Sequence, residues 1–238
     1  MNRIALKLAA LLLAGSAVTA QASTDPSAPA ERDTVVVTAR SFAPASPNIF
    51  GTVALGAGVT VYGARWRRVS AADERDPRVT ALAVAATAAT TDAESRISWV
   101  QSAIGQRIRW RRDLDIYHVT DYWAQAGETL TRGEGDSEDI AILKMQILKA
   151  AGFAARDLYL SLGRHHKSGA DTRLLVRVGE QFYALDDHSQ NPVNALDAQR
   201  FEPVITLGRN SAWLHGQRYS GRAKTTLRRA SLTRPSSR

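Results

Sequence analysis

The sequence has no cysteine among its 238 residues. Disulfides, thiol catalysis and thiolate metal sites are therefore excluded, and the fold must be held by its core alone. Long apolar runs are also lacking, since a permanent membrane span needs about 20 apolar residues and no segment reaches that length. With 44% hydrophobic and 23% charged residues, the chain has the composition of one globular domain with short appendages.

Net basic charge is lacking outside the two ends of the chain. The formal net charge is +8, of which Arg3 and Lys7 carry +2 and the acid-free segment 217–238 carries +7, which leaves −1 for the rest. A nearly neutral domain without a basic stripe is not expected to bind nucleic acid. We interpret residues 217–238 as a disordered basic tail, with contact to an anionic membrane surface as the alternative.

The N-terminus has the pattern of a secretory signal peptide. Arg3 and Lys7 are followed by an apolar run over residues 8–14 and then by small residues at Ala20 and Ala22. We expect residues 1–22 to be removed, by cleavage after Ala22 or after Ala20. The mature protein is therefore expected in the periplasm or outside the cell.

An extended arm follows over residues 23–48, which hold four of the eight prolines. The arm contains a β-branched run, suited to adding as a strand to a partner's sheet edge, at Asp33, Thr34, Val35, Val36 and Val37. This run resembles the TonB box of outer-membrane receptors, which implies a TonB-type coupling protein as partner. The alternative is an edge strand that docks on the protein's own domain.

Helical patterns dominate the first part of the remaining domain, residues 49–216. Residues 77–89 are rich in alanine, and residues 92–108 carry an apolar stripe at helical spacing. A later run, from Ile140 to Ala151, is apolar on nearly all sides and predicts a buried central helix that ends at Gly152.

Strand patterns follow the central helix. They cover residues 157–162, 173–178 and 181–185, and Gly179 with Glu180 joins the last two in a tight hairpin. A buried helix packed on an antiparallel sheet is an α+β fold.

The order of these parts resembles the papain-like core of transglutaminase-like proteins, and specifically the bacterial transglutaminase-like cysteine peptidases. The matching motifs are "GDSED", "RLLVRV" and "FYALDD", supported by "DYWA", "ETL", "LYLSLGR" and "FEPVITLGRNSAWLHG". The family has a Gly-Asp-Cys-Glu-Asp turn at a helix start, a histidine opening the next strand, and an aspartate in a Leu-Asp-Asn-like motif. The resemblance implies a periplasmic protein, and the best understood members cut and release a large surface adhesin under control of a membrane receptor.

The chain departs from this family at the catalytic positions. Ser137 stands at the cysteine position, Asp171 (or its neighbour Thr172) stands at the histidine position, and Asp186 keeps the aspartate position. A serine hydroxyl needs a positioned base, and a carboxylate of ordinary pKa is a weak base for an alcohol. We therefore interpret Ser137 as a helix cap in an abandoned active site, with Asp136 as the alternative cap of the same helix.

Two functions remain open on this interpretation. The first is a protein without catalytic activity that keeps the substrate groove and binds a periplasmic peptide or protein, such as a membrane receptor loop or an adhesin-like segment. The second is an active hydrolase that uses Ser137 with a histidine recruited from His118, His165, His166, His188 or His215.

The resemblance also implies calcium. In the adhesin-cutting members the acids that flank the cysteine bind calcium, and Asp136, Glu138 and Asp139 match that turn. Clustered carboxylates are suitable hard-oxygen ligands. The alternative is that these acids only complement the positive end of the helix.

Overall fold

The computed structural model describes most of the domain and neither end of the chain. The signal peptide, the TonB-box-like run and the tail beyond residue 217 lie outside the described residues, so their assignments stay predictions. In the part that the structure describes, no helix is long and apolar enough to cross a membrane. The described residues are 47–58, 60–71, 76–196 and 200–217.

Six α-helices occur in the described residues. In chain order, α1 to α6 are Gly63–Ala71, Pro77–Ala89, Ala93–Arg107, Asp113–Ile116, Ala126–Arg132 and Ser137–Ala150. The helices expected at 77–89 and 92–108 are confirmed as α2 and α3. The α3 helix begins where the Asp92 side chain accepts a hydrogen bond from the Ser95 backbone N–H at 2.8 Å, and its apolar stripe is buried.

Nine strands occur in the same residues, and seven of them form one sheet. In chain order, β1 to β9 are Val53–Ala57, Arg109–Trp110, Glu134–Gly135, Leu158–His165, Gly169–Val178, Gln181–Leu185, Val193–Asn194, Phe201–Leu207 and Ala212–Gly216. The large sheet is antiparallel with the order β1-β9-β8-β4-β5-β6-β7, and β2 pairs with β3 in parallel. The predicted hairpin is confirmed as β5 and β6, joined at Gly179, which has a φ of 58° that glycine adopts without strain.

The α6 helix lies in the main core, as predicted. Its residues Ile142, Leu143 and Ile147 are fully buried and belong to the same cluster as Leu174 and Val176 of β5. Leu175, between these two strand residues, belongs to a second cluster on the other side of the sheet. Even-numbered residues of β5 therefore face α6, and odd-numbered residues face away from it.

Candidate functional site

Ser137 is the first residue of α6, and Asp136 is the residue that caps this helix. The Asp136 side chain accepts a hydrogen bond from the Asp139 backbone N–H at 3.3 Å. The interpretation of Ser137 as the cap is therefore wrong. Instead, the Ser137 hydroxyl donates to Oδ2 of Asp187 at 2.8 Å and accepts a hydrogen bond from Nε1 of Trp110 at 3.4 Å.

The carboxylate of Asp187 lies between the serine and a histidine. Nε2 of His188 is 3.1 Å from Oδ1 of Asp187, and the Asp187 side chain is only 2% exposed. The order along these contacts is serine, aspartate, histidine. In a catalytic triad the histidine contacts the nucleophile and the aspartate contacts the histidine, so the order here is the wrong one for base catalysis.

The two residues considered for the histidine position lie on opposite faces of β5. Thr172 faces α6, where its hydroxyl donates to Oε1 of Glu138 at 2.9 Å. Asp171 faces away from α6, and its Oδ2 accepts a hydrogen bond from Nε of Arg173 at 3.3 Å. Of these two residues, Thr172 is therefore the one whose side chain faces the start of α6.

Asp186 follows β6 and holds the turn that presents the site. Its Oδ1 accepts hydrogen bonds from the backbone N–H groups of His188 at 3.0 Å and Ser189 at 2.7 Å. Its backbone carbonyl accepts hydrogen bonds from the buried side chains of Lys144 at 2.6 Å and Gln101 at 3.0 Å. Asp186 thus has a positioning role, and among the described residues it is not a hydrogen-bond partner of Ser137.

Sequence reasoning missed Asp187, although a signal was available. This residue is the second acid of the "LDD" motif, where the related family motif has an asparagine. Asp187 lies two residues beyond the last residue of β6, and its hydrogen bond with the Ser137 hydroxyl shows that it lies at the start of α6.

A separate group of acids meets at the start of α6. Asp113, Asp136 and Asp139 each offer one carboxylate oxygen, and these atoms lie within 4.8 Å of one another. The structure therefore brings together two of the three expected calcium ligands, Asp136 and Asp139. Glu138 is outside this group, and Asp113 of α4 is a member that sequence reasoning missed because the chain returns to it only in the folded state.

In the described part of the chain, no salt bridge pairs Asp113, Asp136 or Asp139 with a basic side chain. Burial raises the pKa of Asp139 to about 8, and burial together with neighbouring carboxylates also raises the pKa of Asp136. Oδ1 of Asp113 and Oδ2 of Asp139 are buried without a hydrogen-bond partner in the described residues. A hard divalent cation would satisfy both oxygens and favour the ionised acids, so these residues fit calcium.

Comparison with known proteins identifies the family. The family model described as "bacterial transglutaminase-like cysteine proteinase" matches residues 58–205, a span that contains Ser137, Asp171, Asp186 and the acids at the start of α6. The chain belongs to the bacterial transglutaminase-like cysteine proteinases. A search of curated proteins finds no significant match.

Two solved structures share the fold of this chain. Calcium-bound LapG from Legionella pneumophila has a TM-score of 0.50 and 21% identity, with 63% of this chain and 86% of that chain covered. EGTA-treated LapG from the same organism has a TM-score of 0.50 and 20% identity, with 68% and 89% covered. These similarities confirm the predicted α+β, transglutaminase-like fold.

This bacterial transglutaminase-like cysteine proteinase has no cysteine to act as nucleophile. The Ser137 hydroxyl, which replaces the thiol, has no hydrogen bond to a histidine in the described residues. All five histidines lie in the described residues, and only His188 pairs with Asp187. His215 is half-buried in β9, where burial lowers its pKa to about 4. His165 is the last residue of β4, His166 follows it, and His118 is exposed.

Proposed function

We propose that this protein is a periplasmic, catalytically inactive member of its family that binds a peptide or a protein. The observation that carries the proposal is the hydrogen bond from the Ser137 hydroxyl to Oδ2 of Asp187 at 2.8 Å. A carboxylate occupies the place where a base of the imidazole type is required.

The chemistry of the hydroxyl supports inactivity. A thiol has a free pKa of about 8.5 and is ionised readily by a helix N-terminus with an adjacent imidazole. A serine hydroxyl is a much weaker acid, so the positive end of α6 cannot ionise it alone. A carboxylate is a far weaker base than an alkoxide, so it has little tendency to take the proton of an alcohol.

The surface around Ser137 supports retention of a binding site. Trp110 donates to the serine hydroxyl, yet the residue is 51% exposed. Leu114 and Val119, on the segment that follows β2, are also exposed. Exposed aromatic and aliphatic side chains beside polar groups suit an extended peptide, such as a loop of a membrane receptor or an adhesin-like segment.

Calcium is the proposed ligand of the acid group at the start of α6. LapG, which shares the fold, has been solved in calcium-bound and EGTA-treated forms. In this chain Asp113, Asp136 and Asp139 would supply the carboxylate oxygens. Because Asp136 caps α6 and precedes Ser137, calcium would stabilise the turn that positions the serine.

Export and the envelope partners are proposed on sequence alone. The signal peptide pattern of residues 1–22 supports a periplasmic location. The β-branched run at residues 33–37 supports strand addition to a TonB-type coupling protein, and the basic tail supports contact with an anionic membrane surface.

An active hydrolase is the second candidate, favoured by the position of His188. Its Nε2 lies 3.1 Å from the carboxylate that holds the Ser137 hydroxyl, and its side chain is 39% exposed. Rotation of this ring toward the serine would create a serine–histidine pair.

Turnover assays on the purified mature protein test the proposal. We expect no cleavage of peptides and no cross-linking of amines to glutamine, and we expect Ser137→Ala and His188→Ala to behave like the wild type. Turnover that disappears in both variants would support the hydrolase and contradict the proposal.

A further inference from the structure

We propose that Asp171, Asp187 and His188 form a second divalent-metal site, of the zinc type, beside the position of the former nucleophile. This site shares no residue with the acid group at the start of α6. It is a binding site assigned from geometry, and it does not depend on the function proposed above.

The three side chains converge as metal ligands do. Each offers one ligand atom, and the three atoms lie within 4.8 Å of one another. Nε2 of His188 is 3.1 Å from Oδ1 of Asp187 and 3.9 Å from Oδ1 of Asp171. Two ligands of a tetrahedral zinc ion, with bonds near 2.0 to 2.2 Å, lie about 3.3 to 3.6 Å apart, so the observed distances bracket that spacing.

The converging carboxylate oxygens have no other use among the described residues. The side chains of Asp171 and Asp187 are 0% and 2% exposed, and Oδ1 of each lacks a hydrogen-bond partner. The imidazole of His188 is close to Oδ1 of Asp187 but makes no hydrogen bond to it. Buried carboxylate oxygens are normally bonded, so two that face one imidazole nitrogen indicate a missing cation.

The other oxygen of each carboxylate is already fixed. Oδ2 of Asp171 accepts a hydrogen bond from Nε of Arg173, and Oδ2 of Asp187 accepts one from the Ser137 hydroxyl. Such partners orient metal-binding carboxylates and leave one oxygen free for the ion. Ser137 thereby acquires a positioning role that its poor nucleophilicity does not impair.

The local charge also favours a cation. Arg173 lies near two buried carboxylates, Asp171 at 3.3 Å and Asp186 at 3.7 Å, and its guanidinium group stacks 4.5 Å from the Phe201 ring centroid. Arg173 and the buried Lys144, which interacts electrostatically with Asp186 and Asp187, offset two of the three carboxylates, and a divalent ion would neutralise the negative charge that remains.

The donor set selects the type of metal. One imidazole nitrogen with two carboxylate oxygens suits zinc, whereas calcium takes six to eight oxygen ligands. The partly exposed His188 side chain leaves a path for solvent, so water would complete the coordination.

Metal titration of the full-length mature protein, stripped with chelator, tests the site. We expect calorimetry to find one Zn²⁺ site of micromolar affinity or tighter, and Co²⁺ to give visible absorption bands of a low-symmetry nitrogen and oxygen site. His188→Ala and Asp171→Asn should each weaken Zn²⁺ binding at least tenfold, and Ser137→Ala should weaken it about tenfold.

Two matched variants separate this site from others. His118→Ala removes an exposed histidine, and Asp113→Asn disrupts the proposed calcium group, so both should keep wild-type Zn²⁺ affinity. Wild-type protein that binds Zn²⁺ only at millimolar concentration would overturn the proposal without any variant, and would indicate an ion pair of protonated His188 with the two carboxylates. Retention of full affinity in both His188→Ala and Asp171→Asn would overturn it equally.

Discussion

The Ser137 hydroxyl donates a hydrogen bond to Oδ2 of Asp187 across 2.8 Å. The family's name requires a thiol at position 137, and its chemistry requires an imidazole beside that thiol. This chain has no thiol at position 137 and no imidazole bonded to Ser137. Instead, the carboxylate of Asp187 lies between the Ser137 hydroxyl and the imidazole of His188. The contact is compatible with orientation of a carboxylate and incompatible with activation of a nucleophile.

Two substitutions should restore a thiol–imidazole pair at the former active site. Ser137→Cys together with Thr172→His puts the two groups on facing surfaces of α6 and β5, with Asp187 nearby to orient the ring. The pair should lower the thiol pKa well below about 8.5, so the cysteine should react with iodoacetamide near neutral pH faster than in Ser137→Cys alone.

The control for this prediction uses the neighbouring strand position. Ser137→Cys with Asp171→His tests the other strand position, whose side chain also lies close to Asp187, and the faster-reacting of the two double variants identifies the position that faces residue 137. Equal reactivity of the Thr172→His protein and the single variant would mean that the old geometry is lost.

Calcium should raise the melting temperature of the wild-type protein, because it binds the folded state preferentially. Asp113→Asn and Asp136→Asn should each remove most of that gain, measured by thermal unfolding with calcium and with EGTA. Asp115→Asn, on the same short helix but paired with Arg112, should keep the gain.

Glu138→Gln distinguishes the two possible ligand sets. A full gain in this variant supports Asp113 as the third acid, and its loss supports Glu138 as a ligand. A melting temperature indifferent to calcium and to EGTA in the wild type would exclude the site.

The calcium effect should grow with pH. Without calcium, burial raises the folded-state pKa of Asp139 to about 8, compared with about 4 in the unfolded chain. The folded protein then holds a proton that the unfolded chain releases, so this acid's contribution to stability is lost as pH rises from about 4 through about 8. Calcium replaces that proton, so its gain in melting temperature should be larger at pH 8 than at pH 5.5. An equal gain at both values would contradict the assignment of Asp139.

Lys144 should be a structural requirement for the site. Its Nζ donates to Oε1 of Gln101 at 2.7 Å and to the Asp186 carbonyl at 2.6 Å, although burial lowers its pKa to about 8. Lys144→Met leaves buried acceptors unpaired and should lower the free energy of unfolding by about 1 to 3 kcal/mol in urea titrations. Lys149→Met, at a half-buried position on the same helix, is the matched comparison and should cost less. A Lys144→Met protein as stable as the wild type would refute this role.

Local sequence patterns were sufficient to predict the helices and the hairpin that carry a strong hydrophobic or turn signal. The helical stripe of α3, the all-round apolar run of α6 and the glycine turn between β5 and β6 all predict the observed elements. The α1 helix was missed because glycines and alternation near its start, at Gly63, resemble a strand. The predicted set of calcium ligands omitted Asp113, because this residue meets Asp136 and Asp139 only in the folded structure.

The histidine position was left open between Asp171 and Thr172 for a related reason. Counting along a strand motif leaves the facing direction open by one residue, and a shift of one residue reverses the face. The packing of Leu174 and Val176 against α6 and the hydrogen bond from Thr172 to Glu138 show that Thr172 lies on the helix side. The contact of Asp187 with Ser137 joins residues 50 positions apart, and no local pattern predicts it.

Labelling of the mature protein with a fluorophosphonate probe tests most directly whether Ser137 is an activated nucleophile. Only a serine with a working base reacts with such a probe. We predict no labelling under conditions that label a serine hydrolase fully, and no difference between the wild type and Ser137→Ala. Labelling of the wild type that is lost in both Ser137→Ala and His188→Ala would contradict the inactive, binding role and establish the hydrolase.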